Sequence, residues 1–291
     1  MESLTIGTEQ FKEQFKTCLE QNMIIPLRQE GIGVEVSEDN NGPTTFLGCS
    51  VSEKKLTLFQ KQKVLKRVSL ALAEYIVEVL EKPIVEKLVR ESYSSLKERE
   101  QNKVYLKSLK ILREFDEVHN RKEEAKEYIS SQVLEHLLNE SQINVEGFLR
   151  FRLKGYFSKL ENFVEQAADD LKLEKEYNDF IRLLKYFISV QQPKEKEVHL
   201  LKKDGFYLLK DSNNEIITKE SCLEICGGDG IISSLVTNSP LKVCVHIKDF
   251  YSGEELLRTV NSIFDDRVDI CLGCSNCSQD YEKIEENGEE G

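Results

Sequence analysis

Three cysteines near the C-terminus have the spacing of a metal or redox site, Cys271-x-x-Cys274-x-x-Cys277. Because only two residues separate neighbouring cysteines, tight turns of the chain can bring the three thiols towards one point. Three converging thiolates can bind Zn²⁺ together with one further ligand. They can also supply three of the four ligands of an iron–sulfur cluster. The alternative is that the thiols stay reduced within a turn of small residues.

The motif leaves a fourth ligand to be found elsewhere in the chain. Cys244 and His246 lie on a predicted strand, residues 243–247, and the motif directly follows another predicted strand. We expect these two strands to be neighbours in one sheet, which makes Cys244 or His246 the candidate fourth ligand. Two further thiols, Cys222 and Cys226, precede a glycine-rich turn. No sequence rule selects among these residues.

A second candidate site interleaves basic and aromatic side chains within residues 147–157. Its cations include Arg150, Arg152 and Lys154. Basic groups beside stacking rings can bind RNA or single-stranded nucleic acid. On a helix, however, the rings need not share a face with the cations. The alternative is therefore an amphipathic helix with an aromatic core face and a cationic rim, which could also dock an acidic protein partner.

The sequence contains no complete catalytic set. The turn Gly227-Gly228-Asp229-Gly230 could offer backbone N–H groups to an anion, but it lacks the Lys-Ser/Thr pair of a P-loop. We interpret it as a tight turn that begins a helix. No Ser–His–Asp arrangement and no H-E-x-x-H motif occurs. The sequence therefore favours a non-enzymatic protein.

Composition and charge narrow the classes of partner. The chain has 291 residues, eight cysteines and a formal net charge of -12. This charge disfavours non-specific binding to nucleic acid and to anionic lipid. The first 20 residues lack a secretory signal, and no apolar run approaches the roughly 18 residues that span a bilayer. We therefore expect a cytoplasmic protein with protein partners, whose thiols are reduced or bound to metal.

The candidate ligands must be positioned by the surrounding helices and strands. The sequence pattern of these segments predicts an α+β fold with a predominantly helical middle. We predict a small α/β module at 1–52, a helical region at 53–192, and a C-terminal α/β module at 193–277 that ends in the cysteine cluster. The acidic tail, 278–291, is predicted to be disordered. The C-terminal module includes a strand, a helix and a second strand that together suit a crossover unit.

Local patterns give more detailed expectations. Thr8 is predicted to cap a helix whose buried stripe begins at Phe11, and Asn144 to cap a helix that runs to about residue 164. A separate helix is predicted around 177–188. A hairpin is predicted across the turn at Asp204-Gly205. No heptad seam is predicted anywhere in the chain.

Several segments together resemble a known family. They are the stretch Ile-Asn-Val-Glu-Gly-Phe-Leu-Arg-Phe-Arg-Leu at 143–153, Ile-Ile-Ser-Ser-Leu-Val at 231–236, Val-Cys-Val-His-Ile at 243–247, and the segment 267–277 that contains the cysteine motif. They are similar to the YtxC-like sporulation proteins of endospore-forming Firmicutes, and the likeness in layout covers nearly the whole chain. The resemblance implies a role connected with spore formation. It implies no reaction, substrate or catalytic residue.

Three hypotheses follow for function. The first is a non-enzymatic interaction or regulatory protein of sporulation. The second is a metal-binding regulator or redox protein that holds Zn²⁺ or an iron–sulfur cluster at the C-terminal cysteines. The third is a nucleic-acid-binding protein that uses Arg150, Arg152 and Lys154, and the net charge ranks it last.

Overall fold

The computed structural model confirms an α+β fold with a helical middle and a small mixed sheet near each end of the chain. Among the residues it describes, no helix is long and apolar enough to cross a membrane. The structure describes residues 3–41, 44–51, 57–203, 205–221, 228–246, 255–271 and 273–274.

The helical segments follow the apolar stripes of the sequence. The α-helices are α1 Lys12–Leu19, α2 Ile25–Gln29, α3 Leu58–Tyr75, α4 Glu81–Ser92, α5 Glu98–His119, α6 Arg121–Asn139, α7 Val145–Arg152, α8 Lys154–Val190, α9 Asp229–Asn238 and α10 Glu255–Phe264. Wider π-helical turns at Glu20–Ile24 and Ile76–Leu80 join α1 to α2 and α3 to α4, and a 3₁₀ turn at Asp265–Arg267 follows α10.

The strands form two sheets. The strands are β1 Ser3–Thr8, β2 Val34–Asn41, β3 Thr44–Val51, β4 Gln142–Asn144, β5 Glu197–Lys203, β6 Phe206–Lys210, β7 Ile216–Ser221, β8 Lys242–His246 and β9 Val268–Ile270. The first sheet has the order β2-β3-β1-β4, and the second has the order β7-β6-β5-β8-β9. Strands β5, β8 and β9 run parallel to one another, which confirms the predicted crossover through α10.

Contacts within the chain define two compact units, Met1–Lys172 and Leu173–Gly291. We call them the N-terminal unit and the C-terminal unit. The boundary between them falls inside α8. The three-module division drawn from the sequence stays a prediction.

The N-terminal unit has one apolar core that sheet and helices share. Tyr75 and Phe15 are fully buried with their ring centroids 4.9 Å apart. The Tyr75 hydroxyl donates a 2.7 Å hydrogen bond to the backbone oxygen of Gln10. Each large apolar side chain buried in this way stabilises the fold by roughly 1.5–3 kcal/mol. The core therefore ties the strands of the first 51 residues to the helices that follow them.

Two capping predictions have opposite outcomes. Asn144 caps α7 as predicted, because its side-chain oxygen accepts a 2.7 Å hydrogen bond from the Gly147 N–H. The prediction for Thr8 is wrong. Thr8 is the last residue of β1, and its hydroxyl donates to Glu146 over 2.8 Å. The residue that precedes α1 is Phe11, in the left-handed conformation, with its ring partly exposed.

The boundaries of the last long helices also differ from the prediction. The helix that was expected to run from Asn144 to about residue 164 breaks at Leu153, whose φ of -102° and ψ of 37° leave the helical region. A single helix, α8, then continues through the predicted gap to Val190. The intervening residues are mostly Ala, Leu, Lys and Glu, which favour helix. The short strand β4 was not predicted at all.

A buried ionic network joins the helices of the N-terminal unit. The Arg121 guanidinium donates to Glu81 over 2.7 and 2.9 Å and to Asp116 over 2.6 and 3.1 Å. The Tyr156 hydroxyl donates to Glu81 over 2.7 Å. Burial alone would lower the pKa of Arg121, but its hydrogen bonds to Glu81 and Asp116 raise it above its ordinary value. Every charge in this network therefore has an opposite charge beside it.

The sheet of the C-terminal unit buries one face and leaves the other partly open. Val198, Leu200, Val243 and Val245 are fully buried on β5 and β8. They belong to the apolar core that also includes Ile181 and Ile188 of α8, Ile231 and Leu235 of α9, and Leu256, Leu257, Val260, Ile263 and Phe264 of α10. Because side chains alternate along a strand, the residues between these valines and leucines lie on the opposite face.

Candidate metal centre

Strand alternation places the candidate ligands together on the open face of the second sheet. On β8, Val243 and Val245 point into the core, so Cys244 and His246 lie half-buried on the other face. His199 of β5 lies on that face too and is the direct cross-strand partner of Cys244. Three potential ligands thus come from adjacent parallel strands, whose register is fixed by the buried side chains of the core.

The cysteine motif begins where β9 ends and bends back towards β8. The Cys271 N–H donates to the Val245 oxygen over 2.9 Å, which extends the pairing of β8 with β9 by one residue. Gly273 has a φ of 138°, a conformation that favours glycine. The Gly273 N–H donates to the Cys271 sulfur over 3.4 Å. This turn brings Cys274 back over the sheet.

His246 lies at the centre of the cluster. Its Nδ1 is 3.4 Å from the Cys274 sulfur, and its Nε2 is 2.9 Å from Nδ1 of His199. A histidine that binds a metal through one ring nitrogen usually donates the other N–H to a fixed acceptor. In this arrangement, His246 would bind through Nδ1 and donate its Nε2–H to His199. The His199 ring would then hold the orientation of the ligand.

Two overlapping sets of ligand atoms share His246. One set is His199, Cys244 and His246, and the other is His246, Cys271 and Cys274. Within each set the ligand atoms lie within 4.8 Å of one another. Around a tetrahedral zinc ion, a sulfur and a nitrogen ligand are about 3.6 Å apart. The 3.4 Å separation of the Cys274 sulfur and His246 Nδ1 fits that geometry.

Burial shifts the pKa values of two members of the cluster. Burial raises the pKa of the Cys244 thiol to about 11, and the neighbouring Cys271 and Cys274 add to this effect because thiolates repel one another. Burial lowers the pKa of His246, and the nearby His199 lowers it further. The imidazole is therefore neutral at pH 7, as a metal ligand must be. A divalent cation at the cluster would stabilise the thiolates and release their protons.

The structure brings three of the predicted ligands together and places a fourth on the same face of the sheet. His246, Cys271 and Cys274 are brought together, and Cys244 lies on the same face. Cys222, Cys226 and Cys277 lie outside the residues that the structure describes. His199 was missed. Alternation in a parallel strand beside β8 was the available signal, but the sequence does not determine which residues of the two strands are paired.

The predicted basic surface is divided between two helices. Arg150 and Arg152 are in the last turn of α7, and Lys154 is the first residue of α8. All three are exposed. Arg150 and Lys154 line a cavity of about 520 Å³ in the N-terminal unit, whereas Arg152 does not. The aromatic ring nearest to them in sequence, Phe151, is 70% exposed and does not line that cavity.

The glycine-rich turn begins a helix, as predicted. Gly228, with a φ of 116°, directly precedes α9. A Cβ atom added to Gly228 would lie 2.8 Å from Leu256, so the close packing of α10 also requires glycine. The Ile231 N–H of the first turn donates to the carboxylate of Glu220 over 3.1 Å. An acidic side chain of the protein thus occupies the position where an anion would bind.

Fold and cluster together define a predominantly helical α+β protein with thiols and imidazoles on one face of its C-terminal sheet. The chain belongs to the YtxC-like family, whose model matches residues 66–269. It is also similar to a protein of Bacillus subtilis (strain 168) named "Uncharacterized protein YtxC", with 27% identity over 159 residues. That match covers 54% of this chain and 56% of the relative, so the chain spans little more than half the relative's length. No solved structure matched.

The region matched by the family model contains one part of the cluster and ends before the other part. The matched region contains His199, Cys244 and His246 and ends at residue 269, just before Cys271. The strands that carry the two histidines are therefore part of the family's common region. Family membership confirms the resemblance seen in the sequence.

Proposed function

We propose that this chain is a non-enzymatic regulatory protein of spore formation that binds one zinc ion in its C-terminal unit and acts through protein partners. The observation that carries the metal site is the convergence of His246, Cys271 and Cys274, whose ligand atoms lie within 4.8 Å of one another. Sulfur together with imidazole nitrogen is a donor set that suits zinc. The resemblance to sporulation proteins supports the cellular role.

The ligands in this proposal are His246 through Nδ1 and the sulfurs of Cys271 and Cys274, with Cys244 as the fourth, because its sulfur lies within 4.8 Å of a ring nitrogen of His246. His199 acts as a positioning residue through its contact with His246 Nε2. Four protein ligands fill the tetrahedral coordination of zinc and leave no position for substrate. A closed site of this kind stabilises structure. It therefore agrees with a regulatory protein better than with a metalloenzyme.

Zinc at this position would join the cysteine motif at the end of β9 to β8, in addition to the pairing of these two strands. Strand β9 has three residues and lies at the edge of the sheet. Its side chains and Cys271 are half-buried or exposed. Bonds from zinc to Cys271, Cys274 and His246 would fasten the end of β9 to β8. Gain or loss of the ion would then change how well the surface around β9 is ordered, and a protein partner would bind that surface.

Elemental analysis of anaerobically purified full chain tests the metal site. We expect about one zinc per chain, as a four-ligand structural site requires. The Cys271→Ser/Cys274→Ser double variant should bind little or none. A Cys49→Ala variant is the control, because Cys49 is a buried thiol of the N-terminal unit outside the cluster. Iron with sulfide, or no metal together with cluster thiols that react with a thiol reagent, would contradict the zinc proposal.

Spore counts test the cellular role. The chain would be expressed in Bacillus subtilis from which the YtxC relative has been deleted, and heat-resistant spores would be counted. We expect the deletion to lower the count and the wild-type chain to restore it. The Cys271→Ser/Cys274→Ser variant should restore it less well than Cys49→Ala. An unchanged count in the deletion strain would contradict the sporulation role but leave the metal site standing.

A further inference from the structure

The second half of α8, Leu173–Val190, carries apolar side chains on two faces. Ile181 and Ile188 are buried in the core of the C-terminal unit, with Leu184 packed against them. A second group is exposed to solvent. Its members are Leu173, Phe180, Leu183, Phe187 and Val190, and each is between 43% and 63% exposed. We call these five residues the α8 seam.

The spacing of the α8 seam is that of a helix that packs against another helix. Leu173, Phe180 and Phe187 recur every seven residues, and Leu183 and Val190 recur every seven residues between them. This is the alternation of three and four that two packed helices need at their contact positions. At 3.6 residues per turn, the five side chains fall within an arc of about 100°.

The α8 seam cannot be recognised from the sequence alone, because the apolar residues of α8 form one broad arc around the helix. Only the structure shows which part of that arc the sheet covers. Tyr177 marks the edge of the covered part, because its hydroxyl lies 3.2 Å from the Thr259 hydroxyl of α10. The opposite side of the helix is polar, with Asn178, Arg182 and Lys185. A helix that is apolar over so wide an arc is usually buried on both sides.

We propose that a second copy of this chain packs on the α8 seam and that the protein forms a two-fold symmetric dimer. A seam with this repeat is complementary to itself, and two-fold pairs are the commonest protein assembly. Phe180 and Phe187 would each bury about 150–250 Å² if fully covered, and Leu and Val somewhat less. Because each of the five residues is about half exposed, complete covering of the α8 seam would bury roughly 500 Å² per copy. A pair would bury roughly 1,000 Å², near the lower limit for a specific interface. The dimer should therefore be weak and reversible.

The orientation of the two helices follows from Glu176. Its position in the repeat lies on the seam, three residues after Leu173 and seven before Leu183. In a parallel pair the two Glu176 carboxylates would face each other across the interface, which is unfavourable. In an antiparallel pair centred between Ile181 and Arg182, Glu176 of one copy lies opposite Phe187 of the other. The antiparallel arrangement avoids the repulsion.

Analytical ultracentrifugation of the full chain from about 1 to about 200 µM tests the dimer. We expect the average mass of the wild type to rise from that of a monomer towards that of a dimer over this range. Leu183→Glu and Phe187→Glu should each weaken association at least tenfold. Asn178→Glu adds the same charge on the polar side of the same helix and should associate like the wild type. Circular dichroism checks that every variant is folded.

Several outcomes would overturn the proposal. A wild type that stays monomeric at every concentration would do so, and so would a dimer that both glutamate substitutions leave intact. A Leu173→Cys variant separates the two orientations, because position 173 faces its own copy in a parallel pair and Val190 in the antiparallel pair. A disulfide-linked dimer that forms in this variant and not in the wild type would indicate a parallel pair and contradict the antiparallel arrangement. These results are independent of the metal site, because the α8 seam shares no residue with it.

Discussion

Two polar clusters in this chain differ in how their charges are satisfied. In the N-terminal unit, Arg121 is surrounded by Glu81 and Asp116 at hydrogen-bonding distance and is almost fully buried. In the C-terminal unit, the cluster consists of thiols and neutral imidazoles on a half-open sheet face, around His246 and Cys274. The first cluster contains its own counter-charges. The second contains thiols and imidazoles, which are groups that bind metal cations.

This difference separates a structural role from a binding role. A buried ion pair whose partners saturate one another needs nothing further, and it makes the packing of the helices specific. Thiols that lie close together without a cation are hard to ionise, because neighbouring thiolates repel one another. Burial raises the pKa of Cys244, and the neighbouring Cys271 and Cys274 raise it further. We therefore expect the first cluster to respond to loss of a partner and the second to respond to metal.

The largest effect should come from breaking the ionic network. Arg121→Met leaves Glu81 buried beside Tyr156 without a positive charge. Removing one partner of a buried pair costs about 3–5 kcal/mol of unfolding free energy. Urea unfolding followed by circular dichroism would measure the loss.

A surface ion pair provides the matched control for that substitution. Lys122 lies next to Arg121 in sequence, and its ammonium is 2.8 Å from Glu78 in a partly exposed pair. Lys122→Met should cost less than about 1 kcal/mol, because exposed pairs contribute little. Equal losses of unfolding free energy in Arg121→Met and Lys122→Met would contradict the distinction between the buried ionic network and an exposed ion pair.

Metal removal should be the next largest effect and should be confined to the C-terminal unit. At free zinc about 100-fold above the dissociation constant, binding stabilises the folded state by about 2.7 kcal/mol. A chelator should therefore increase hydrogen exchange in β8 and β9 and leave α3 and α6 unchanged. Hydrogen exchange with mass spectrometry reads both units in one sample. Equal changes in both units, or none, would count against a zinc site at His246.

His199→Gln should weaken metal binding without abolishing it. Loss of a residue that orients a ligand typically lowers metal affinity 10- to 100-fold. Cys244→Ser removes a proposed ligand and should have the larger effect of the two. Competition with a zinc-binding dye would measure both affinities. If His199→Gln had the larger effect, His199 would be a ligand and Cys244 would not.

The smallest expected effect is a change of stability with pH. It distinguishes the buried thiol of Cys49 from the thiols of the candidate metal site. Burial raises the pKa of Cys49 to about 11 from an ordinary value of 9.0. Because the folded-state pKa is the higher one, the stability from this group is present below pH 9 and is lost as pH rises towards 11. Metal binding should change in the opposite direction, since thiolates are the ligands.

Urea unfolding at pH 8 and pH 10.5 would measure this dependence. Cys49→Ala should lose less stability over that interval than the wild type does. The same slope in both proteins would contradict the assignment to Cys49. Zinc affinity of the wild type, measured below pH 9, should rise with pH.

Part of this molecule could be predicted from sequence because its patterns are local. The alternation of apolar residues in 34–51 predicts strands. The turn residues between 198 and 209 predict a hairpin, and the cap at Asn144 predicts the start of a helix. The strand–helix–strand unit even predicted that Cys244 and His246 would lie beside the cysteine motif. These inferences depend only on residues that are close in sequence.

The remaining features depend on register and burial between distant segments. His199 joins the cluster because β5 pairs with β8 in one particular register, which no local pattern determines. The single helix α8 depends on good helix formers between two apolar stripes, and its exposed seam depends on which residues the sheet covers. The Arg121 network brings together residues 40 positions apart. Such features require the packed structure.

X-ray absorption at the zinc edge of the purified full chain tests the central claim most directly. The technique counts sulfur and nitrogen neighbours of the metal and measures their distances. Three sulfurs at about 2.3 Å and one nitrogen at about 2.0 Å would agree with Cys244, Cys271, Cys274 and His246 as ligands. A shell of oxygen and nitrogen without sulfur, or no bound zinc at all, would contradict it.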